Sequence, residues 1–260
     1  MNIINEYNKQ FFSFIYNTGV KLFGGKGLRK FPVLNSIYVF LAGKVKTRII
    51  ETNGFSLEID ALEGVDFNNW EKEVADVVKK NSEGAIFLDI GAESGYYTCL
   101  AAKNGAKKVM AFEPNPGSFN LLKKNIERNN LKNVEIFNKA VSDKNEKAIF
   151  YPHGVYSSFY RRNIFKGNES VVVECVALDD FLKDNKVDFI KMDIEGAEPK
   201  ALRGMKKLLQ KNKGVKLIIE FAPIYFEVAG ENPDEFLSFL AQMGFKYRNL
   251  DGSNLFFSRN

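Results

Sequence analysis

The sequence contains few of the residues and runs that mark several classes of protein. Its 260 residues include only two cysteines and one histidine. Two separated cysteines in a chain of this length do not make a disulfide framework, so a reducing compartment is expected. No run approaches the ~20 apolar residues that span a bilayer, and no secretory leader is recognisable. These absences predict a cytoplasmic protein.

The charge pattern also argues against one class of partner. The net charge is +5 and charged residues make up 27% of the chain. The lysines and arginines are interleaved with acids, whereas a nucleic-acid-binding protein shows a basic stripe or cluster. We therefore expect no nucleic-acid partner. The hydrophobic content of 45% suffices for one large domain with an appendage.

The first 80 residues are predicted to form an N-terminal helical cap and a β-hairpin. Residues 1–45 are aromatic and basic, and glycines interrupt them, so we predict two short helices. Residues 46–60 carry Asn53-Gly54 between two extended runs, which is a strong hairpin signal. The helices either pack on the main domain or form a substrate lid or a peripheral membrane contact, because basic residues beside aromatics suit an anionic interface.

Residues 81–260 are predicted to form an α/β domain. From Ala85 onward, short apolar runs alternate with amphipathic helical segments, which indicates a mostly parallel sheet covered on both faces. Asn115-Pro116 and Asn232-Pro233 are predicted helix starts. The last two runs, joined at Asp251-Gly252, predict an antiparallel hairpin edge. The main strands are predicted at 85–90, 108–112, 134–138, 189–192 and 215–221, and one helix at 197–209.

A glycine loop follows the first strand of this domain, in the run Phe87 to Gly95. Ligands of open parallel sheets bind beyond the carboxyl ends of the strands. Gly91 lets backbone approach a ligand, and Gly95 allows the turn into a helix. The Gly-x-x-x-Gly spacing differs from the dinucleotide pattern Gly-x-Gly-x-x-Gly. Asp89 beside this loop suits a cationic ligand such as S-adenosylmethionine, which carries an ammonium and a sulfonium.

An acid at the end of the second strand turns this loop into a predicted nucleoside site. Glu113 stands 24 residues after Asp89, close to the offset at which a carboxylate accepts both ribose hydroxyl protons. The loop after the third strand contains Ala140, a small apolar residue that suits the face of an adenine ring.

The most acidic strand end is the run Lys191 to Glu198. One interpretation is a general base, Asp193 or Glu195, that takes the proton from an attacking hydroxyl group. A second is a site for Mg²⁺ or Ca²⁺, which prefer carboxylate oxygens, although we assign no metal ligand. A third is helix capping, because acids in the first turn stabilise a helix N-terminus. Glu220, at the end of a later strand, is expected to face the same cleft.

His153 is an alternative general base. It is the only histidine of the chain, and an unperturbed imidazole titrates near neutral pH. A single histidine in a predicted loop is more often incidental, so the assignment of the base stays open among Asp193, Glu195 and His153.

Four stretches, in this order along the chain, resemble the FkbM family of methyltransferases: 89–98, 112–114, 140–142 and 191–198. The run Lys-Met-Asp-Ile-Glu-Gly-Ala-Glu is the most specific of them. The resemblance implies the Rossmann-like seven-stranded methyltransferase fold, S-adenosylmethionine as donor, and a hydroxyl acceptor on a sugar, glycan or natural product.

The resemblance also implies which residues line the donor site: Asp89, Gly91, Gly95, Glu113 and Asp193. To these we add neighbours in the same loops: Ala92, Glu93, Tyr96, Pro114 and Ala140. One residue departs from the family pattern, because family members commonly have Asn where this chain has Glu93. A carboxylate there is expected to attract the donor's ammonium and to repel its carboxylate.

Three other functions are weighed against this hypothesis. Amino-group methyltransferases commonly place an Asn- or Asp-Pro-Pro-aromatic tetrapeptide after the fourth strand, where this chain has Asp193-Ile194-Glu195-Gly196. A nicotinamide-dependent dehydrogenase lacks support because the dinucleotide pattern is missing. A non-catalytic protein that binds the donor or a partner is the remaining alternative, because a sequence can retain the donor pocket after the catalytic activity is lost.

Overall fold

The computed structural model describes residues 47–60, 66–152, 157–160, 169–183 and 185–259. The chain divides into two units, Met1–Trp70 and Glu71–Asn260. The helices predicted for residues 1–45 lie outside the described residues.

The described part of the first unit contains the predicted hairpin. Strands β1 (Thr47–Thr52) and β2 (Phe55–Asp60) pair antiparallel in register. Asn53 and Gly54 between them both have positive φ, 48° and 80°, as a tight two-residue hairpin turn requires. The alternation of apolar and polar residues and the Asn-Gly turn therefore act together to form this hairpin.

The second unit alternates strands and helices as predicted. Its strands are β3 (Ile86–Ile90), β4 (Lys108–Phe112), β5 (Val134–Phe137), β6 (Ala140–Val141), β7 (Glu146–Phe150), β8 (Val171–Val176), β9 (Phe189–Met192), β10 (Lys216–Glu220), β11 (Lys246–Asn249) and β12 (Asn254–Ser258). Its helices are α1 (Lys72–Ser82), α2 (Tyr96–Lys103), α3 (Pro116–Arg128), α4 (Leu178–Phe181), α5 (Glu198–Arg203), α6 (Lys206–Lys211), α7 (Pro223–Val228) and α8 (Pro233–Gln242).

Seven of these strands form one sheet in the order β11-β12-β10-β9-β3-β4-β5. The five strands from β10 to β5 are parallel, and β12 pairs antiparallel with both β10 and β11. This is the predicted Rossmann-like sheet with an antiparallel C-terminal edge. From β3 the chain adds β4 and β5 on one side, then returns to add β9 on the other. The crevice at this switch point, between the carboxyl ends of β3 and β9, is where such sheets bind ligands.

Two helices begin where the sequence predicted. The side chain of Asn115 accepts a hydrogen bond from the N–H of Gly117 at 2.9 Å, and Pro116 occupies the first turn of α3. Asn232 accepts from the N–H of Asp234 at 2.8 Å at the start of α8. Both caps satisfy backbone donors that have no partner inside the helix. Among the described residues, no helix is long and apolar enough to cross a membrane.

The extended segments near residues 140–176 do not join the main sheet. Strand β8 pairs parallel with β6 and antiparallel with β7, which makes a separate three-stranded sheet. Ala140 and Cys175 pair across it and are both buried, with Phe150 and Val173 in the same small apolar cluster. This sheet therefore holds the chain that follows β5.

The prediction of one helix at 197–209 was wrong. The structure has two short helices, α5 and α6, separated by Gly204 and Met205. The reason is a tertiary contact, because a Cβ atom on Gly204 would lie 2.0 Å from the carbonyl oxygen of Ser142. The N–H of Asp179 also donates to the Gly204 carbonyl at 2.8 Å. The segments around Ser142 and Asp179 thus contact the backbone at Gly204, where there is no side chain to keep them away.

We expect Gly204→Ala to lower the free energy of unfolding by about 1–3 kcal/mol, because the added methyl group forces backbone apart in a packed site. Urea unfolding followed by circular dichroism measures this change.

Gly214→Ala is the matched control. No atom lies within 4 Å of a Cβ built at Gly214, so stability should change by no more than about 0.5 kcal/mol, the range for unobtrusive surface changes. Equal losses in the two variants would contradict the packing role of Gly204.

Candidate functional site

The structure brings the predicted strand-end acids together at one edge of the sheet. Asp89 is the penultimate residue of β3, Glu113 follows β4, and Asp193 follows β9. These three strands are neighbours and parallel, so their carboxyl ends share one edge. The acids that were predicted from three separate motifs therefore line one crevice.

Asp89 is a buried carboxylate with one free oxygen. Only 1% of the residue is exposed, and the hydroxyl of Thr98 donates to Oδ2 at 2.6 Å. Oδ1 has no hydrogen-bond partner among the described residues. Burial raises the pKa of this carboxyl to about 6, although the Thr98 hydrogen bond and the Lys191 charge oppose the rise. An unsatisfied buried oxygen is costly, so a cationic or donating ligand would stabilise this site.

Gly91 is where the loop after β3 meets the loop after β9. Its φ is 84°, and a Cβ atom here would lie 1.9 Å from the carbonyl oxygen of Asp193. The sequence predicted a close approach of ligand to this backbone. The structure shows that the loop after β9 already makes a close approach, so any other residue would push the two loops apart.

Glu113 ties the glycine loop to the end of β4. Its Oε2 accepts the N–H of Glu93 and its Oε1 accepts the N–H of Asn115, both at 2.8 Å. The residue is 5% exposed, and burial raises the pKa of its carboxyl to about 8 against the effect of these hydrogen bonds. A carboxylate has about four acceptor positions, so both oxygens keep capacity for further donors.

The remaining predicted donor-site residues lie around these acids. Gly95 begins α2 with a φ of 95°, which confirms the predicted turn into a helix. Tyr96 is buried with its ring edge-on to Tyr97. Ala92 donates its N–H to the carbonyl of Phe112 at 3.0 Å. Two further residues are buried close to the ends of β4 and β5: Pro114 and Ala140.

The acids that follow β9 divide into two roles. Glu198 is fully buried, and its two oxygens accept the N–H groups of Ile194 and Gly196 at 2.8 and 3.0 Å. It therefore holds the loop that precedes α5, and the helix itself has no side-chain cap. Asp193 and Glu195 are partly exposed and face a third acid, Glu220. One carboxylate oxygen of each lies within 4.8 Å of the others, a spacing that suits a metal ion.

Glu220 experiences this crowding most strongly. Burial raises the pKa of its carboxyl to about 10, and the charges of Asp193, Glu195 and Glu198 add to the rise. Like charges at a few ångströms cannot all ionise without cost. At neutral pH, this raised pKa favours the protonated form of Glu220.

Lys191 is a site residue that sequence reasoning missed. It lies in β9 and is 2% exposed, and its Nζ donates to Asp193 Oδ2 at 2.6 Å. The detectable signal was a lysine inside an otherwise apolar strand. Burial lowers the pKa of this ammonium, but the charges of Asp193 and Glu71 outweigh burial and raise it overall. His153, the alternative base, lies outside the described residues.

The sequence profile of the methyltransferase FkbM domain matches residues 89–247. This range holds the glycine loop, Glu113 and the acids after β9.

The chain belongs to the FkbM methyltransferase family.

Two curated relatives share part of this FkbM chain. Hexuronic acid methyltransferase AglP of Haloferax volcanii is 24% identical over 137 residues, which are 52% of this chain and 55% of AglP. Methyltransferase 1 of Beauveria bassiana is 25% identical over an alignment of 147 residues, which covers 47% of this chain and 59% of that protein. The chain thus spans a little over half the length of the curated relatives it matches.

Solved structures are also similar to this chain, at lower sequence identity than the two relatives. The crystal structure of the FkbM methyltransferase from Methylobacillus flagellatus KT has a TM-score of 0.47 and 18% identity, and covers 68% of this chain and 44% of that one. TYW2 of M. jannaschii in complex with AdoMet has a TM-score of 0.47 and 19% identity, and covers 83% of this chain and 87% of that one.

The backbone at Glu93 adopts a conformation that favours Asn over most other residues. Glu93 has a φ of 51°, in the left-handed region that Asn tolerates better than other non-glycine residues. Its carboxylate accepts the N–H of the next residue, Ser94. The conformation of this turn therefore favours Asn. The Glu93 carboxylate is held partly by a backbone N–H group of its own loop.

The pKa of Glu220 predicts a pH-dependent stability difference. The folded pKa of about 10 exceeds the ordinary value of 4.5. Between these values the folded state binds more protons than the unfolded state, so wild-type stability falls as pH rises. The Glu220→Gln variant cannot titrate at this position. Its free energy of unfolding, relative to that of wild type, should therefore increase by about 1 kcal/mol or more as the pH rises from 5 to 8.

Thermal unfolding at several pH values tests this expectation, with Glu227→Gln, an exposed acid of α7, as the matched control. A Glu220→Gln difference that stays constant from pH 5 to pH 8 would show that the carboxyl titrates normally.

Proposed function

We propose that the protein is an S-adenosylmethionine-dependent methyltransferase that methylates a hydroxyl group of a sugar. The observation that carries the donor assignment is the free Oδ1 of buried Asp89, next to the glycine loop at the switch point of the sheet. A buried carboxylate oxygen without a partner favours a cationic ligand. Membership of the FkbM family supports the reaction class.

The donor's chemistry fits the groups that surround Asp89. Asp89 is suited to hold the ammonium of the donor's methionine part. The remaining acceptor positions on Glu113 are suited to two ribose hydroxyl groups, while its existing bonds to Glu93 and Asn115 keep the loop in place. Neutral small residues, Ala92 and Ala140, leave room for the adenosine part. Each portion of the donor thus has a candidate partner of matching polarity.

The acids after β9 fit the acceptor half of the reaction. S-adenosylmethionine supplies a methyl group activated by its sulfonium. Because an alcohol is a weak nucleophile, its proton must leave as the oxygen attacks the methyl carbon, and a positioned carboxylate can receive it. Asp193 is our first candidate for this base, with Glu195 as the second. Both stand beside the crevice and are partly exposed.

A hexuronic acid is the acceptor we propose to test first. AglP, which matches half of this chain, is a hexuronic acid methyltransferase. The acceptor partner in this proposal is a small molecule or glycan, and nucleic acid is not a substrate. A peripheral membrane contact through residues 1–45 remains part of the proposal, because these residues combine aromatic and basic side chains.

Calorimetry should show that the protein binds S-adenosylmethionine and does not bind NAD. Glu113→Ala should weaken donor binding by about 1–3 kcal/mol, the cost of losing a buried charge-assisted hydrogen-bond partner.

Glu135→Ala is the matched control, because Glu135 is exposed on β5 in an ion pair with Lys108. If the folded protein fails to bind the methyl donor, the proposed function is wrong. An unchanged affinity in Glu113→Ala would remove Glu113 from the ribose site.

Transfer of a tritiated methyl group should occur to glucuronate or galacturonate and not to glucose. Asp193→Asn should lower turnover by about 10²–10⁴-fold, the usual contribution of a general base, while donor affinity stays within a few-fold of wild type. Scintillation counting of the separated sugar measures the rate.

Asp234→Asn, an exposed acid in the first turn of α8, serves as the control. Retained turnover in Asp193→Asn would shift the base to Glu195 or His153. Equal transfer to glucose would exclude a preference for uronic acids while leaving the methyltransferase assignment intact.

A further inference from the structure

Lys191 is a charged side chain buried in the centre of the sheet. It is 2% exposed, and its strand neighbours Ile190 and Met192 are fully buried. Strand β9 lies between β3 and β10, so the lysine has a neighbouring strand on each side. Burying an ammonium costs several kcal/mol unless it is paired. The position therefore requires a specific partner.

Two contacts fix the direction of this ammonium, and two hydrogen bonds support one of them. Its Nζ lies 2.6 Å from Asp193 Oδ2 and 5.0 Å from the centre of the Tyr97 ring. The Tyr97 hydroxyl donates to Glu71 Oε2 at 2.5 Å, and Asn254 donates to the other Glu71 oxygen at 3.3 Å. The hydrogen bond to Glu71 thus fixes the Tyr97 ring, and the ammonium is directed at Asp193.

Lys191 pairs with Asp193 and not with the acid beside it in the sheet, Asp89. Asp89 is its register partner on β3, so the two side chains leave the sheet on the same face. The Thr98 hydroxyl donates to Asp89 Oδ2, whereas the Lys191 ammonium forms its ion pair with Asp193. This separates the two acids, because Asp193 has a fixed counter-charge while Asp89 keeps a free oxygen.

The pair changes what the acid cluster of Asp193, Glu195 and Glu220 can bind. Its spacing suits a divalent cation, and such ions bind through carboxylate oxygens. An ion that used Asp193 would meet the Lys191 ammonium at the same carboxylate. Two like charges a few ångströms apart repel strongly at a partly buried site. The lysine therefore neutralises carboxylate charge that a metal ion would otherwise neutralise.

We propose that Lys191 is the resident counter-cation of this cluster. It is a positioning residue that orients Asp193, and its charge disfavours a divalent metal ion at the cluster. The proposal rests on the proposed function, in which Asp193 faces the transferred methyl group. It concerns the protein's own charge balance, so metal binding can test it without any acceptor.

Terbium luminescence gives the sharpest test, with Tb³⁺ as a probe for a hard-cation site. Lys191→Met keeps the length of the side chain and removes the charge, so it should bind Tb³⁺ about tenfold or more tightly than wild type. The double variant Lys191→Met with Asp193→Asn should lose this gain. Lys72→Met, which removes an exposed lysine paired with Asp76, should leave Tb³⁺ binding unchanged.

The outcomes separate a charge-balancing role from a merely structural one. A structural role predicts lower thermal stability and no gain in Tb³⁺ binding, which would overturn the proposal. If Lys191→Met does not fold, Lys191→Gln replaces it, and wild type is compared with Asp193→Asn. Wild-type Tb³⁺ binding at least about tenfold tighter than that of Asp193→Asn would also overturn the proposal.

Donor binding gives an independent measurement. Calorimetry with S-adenosylmethionine should yield the same affinity in EDTA and in millimolar Mg²⁺. A loss of binding in EDTA would indicate that a bound metal ion balances the charge of the site in place of Lys191, and would overturn the proposal. If the donor binds under neither condition, the proposed function fails, whereas the Tb³⁺ titration still decides the charge balance around Lys191.

Discussion

The close approach of Gly91 to the Asp193 carbonyl is the constraint on which the candidate site depends. It joins the loops that leave β3 and β9 at the switch point of the sheet. No side chain fits between them, and the positive φ of Gly91 lets the chain turn there. Because the loops touch through backbone, the carboxylates that follow each strand are held at fixed separation from one another.

Buried carboxylates then hold the loops through backbone N–H groups. Glu113 accepts from the glycine loop and from its own turn, and Glu198 accepts from two positions in the loop after β9. Burial raises the pKa of both carboxyls to about 8, because both groups are shielded from solvent. These acids build the site's shape, whereas Asp193, Glu195 and Glu220 face its open side.

Much of this arrangement was predictable because it is local or periodic. The hairpin at Asn53-Gly54, the starts of α3 and α8, and the strand runs from 86 to 220 follow from turn residues, caps and apolar periodicity. Asp89, Glu113 and Asp193 were found because acids at the ends of parallel strands must share one edge of the sheet. The break at Gly204 was missed because its cause, the Ser142 carbonyl, lies in a distant part of the chain.

The sequence by itself determined the sheet, the family resemblance and which acids stand at the strand ends, because these depend on residue type and spacing. Only the tertiary structure decided what each acid does. Glu198 holds the loop that precedes α5, Glu220 has a pKa that favours its protonated form, Asp89 keeps a free oxygen, and Asp193 is paired with Lys191. The physical reason is that hydrogen bonding, burial and charge pairing depend on neighbours that are far apart in sequence.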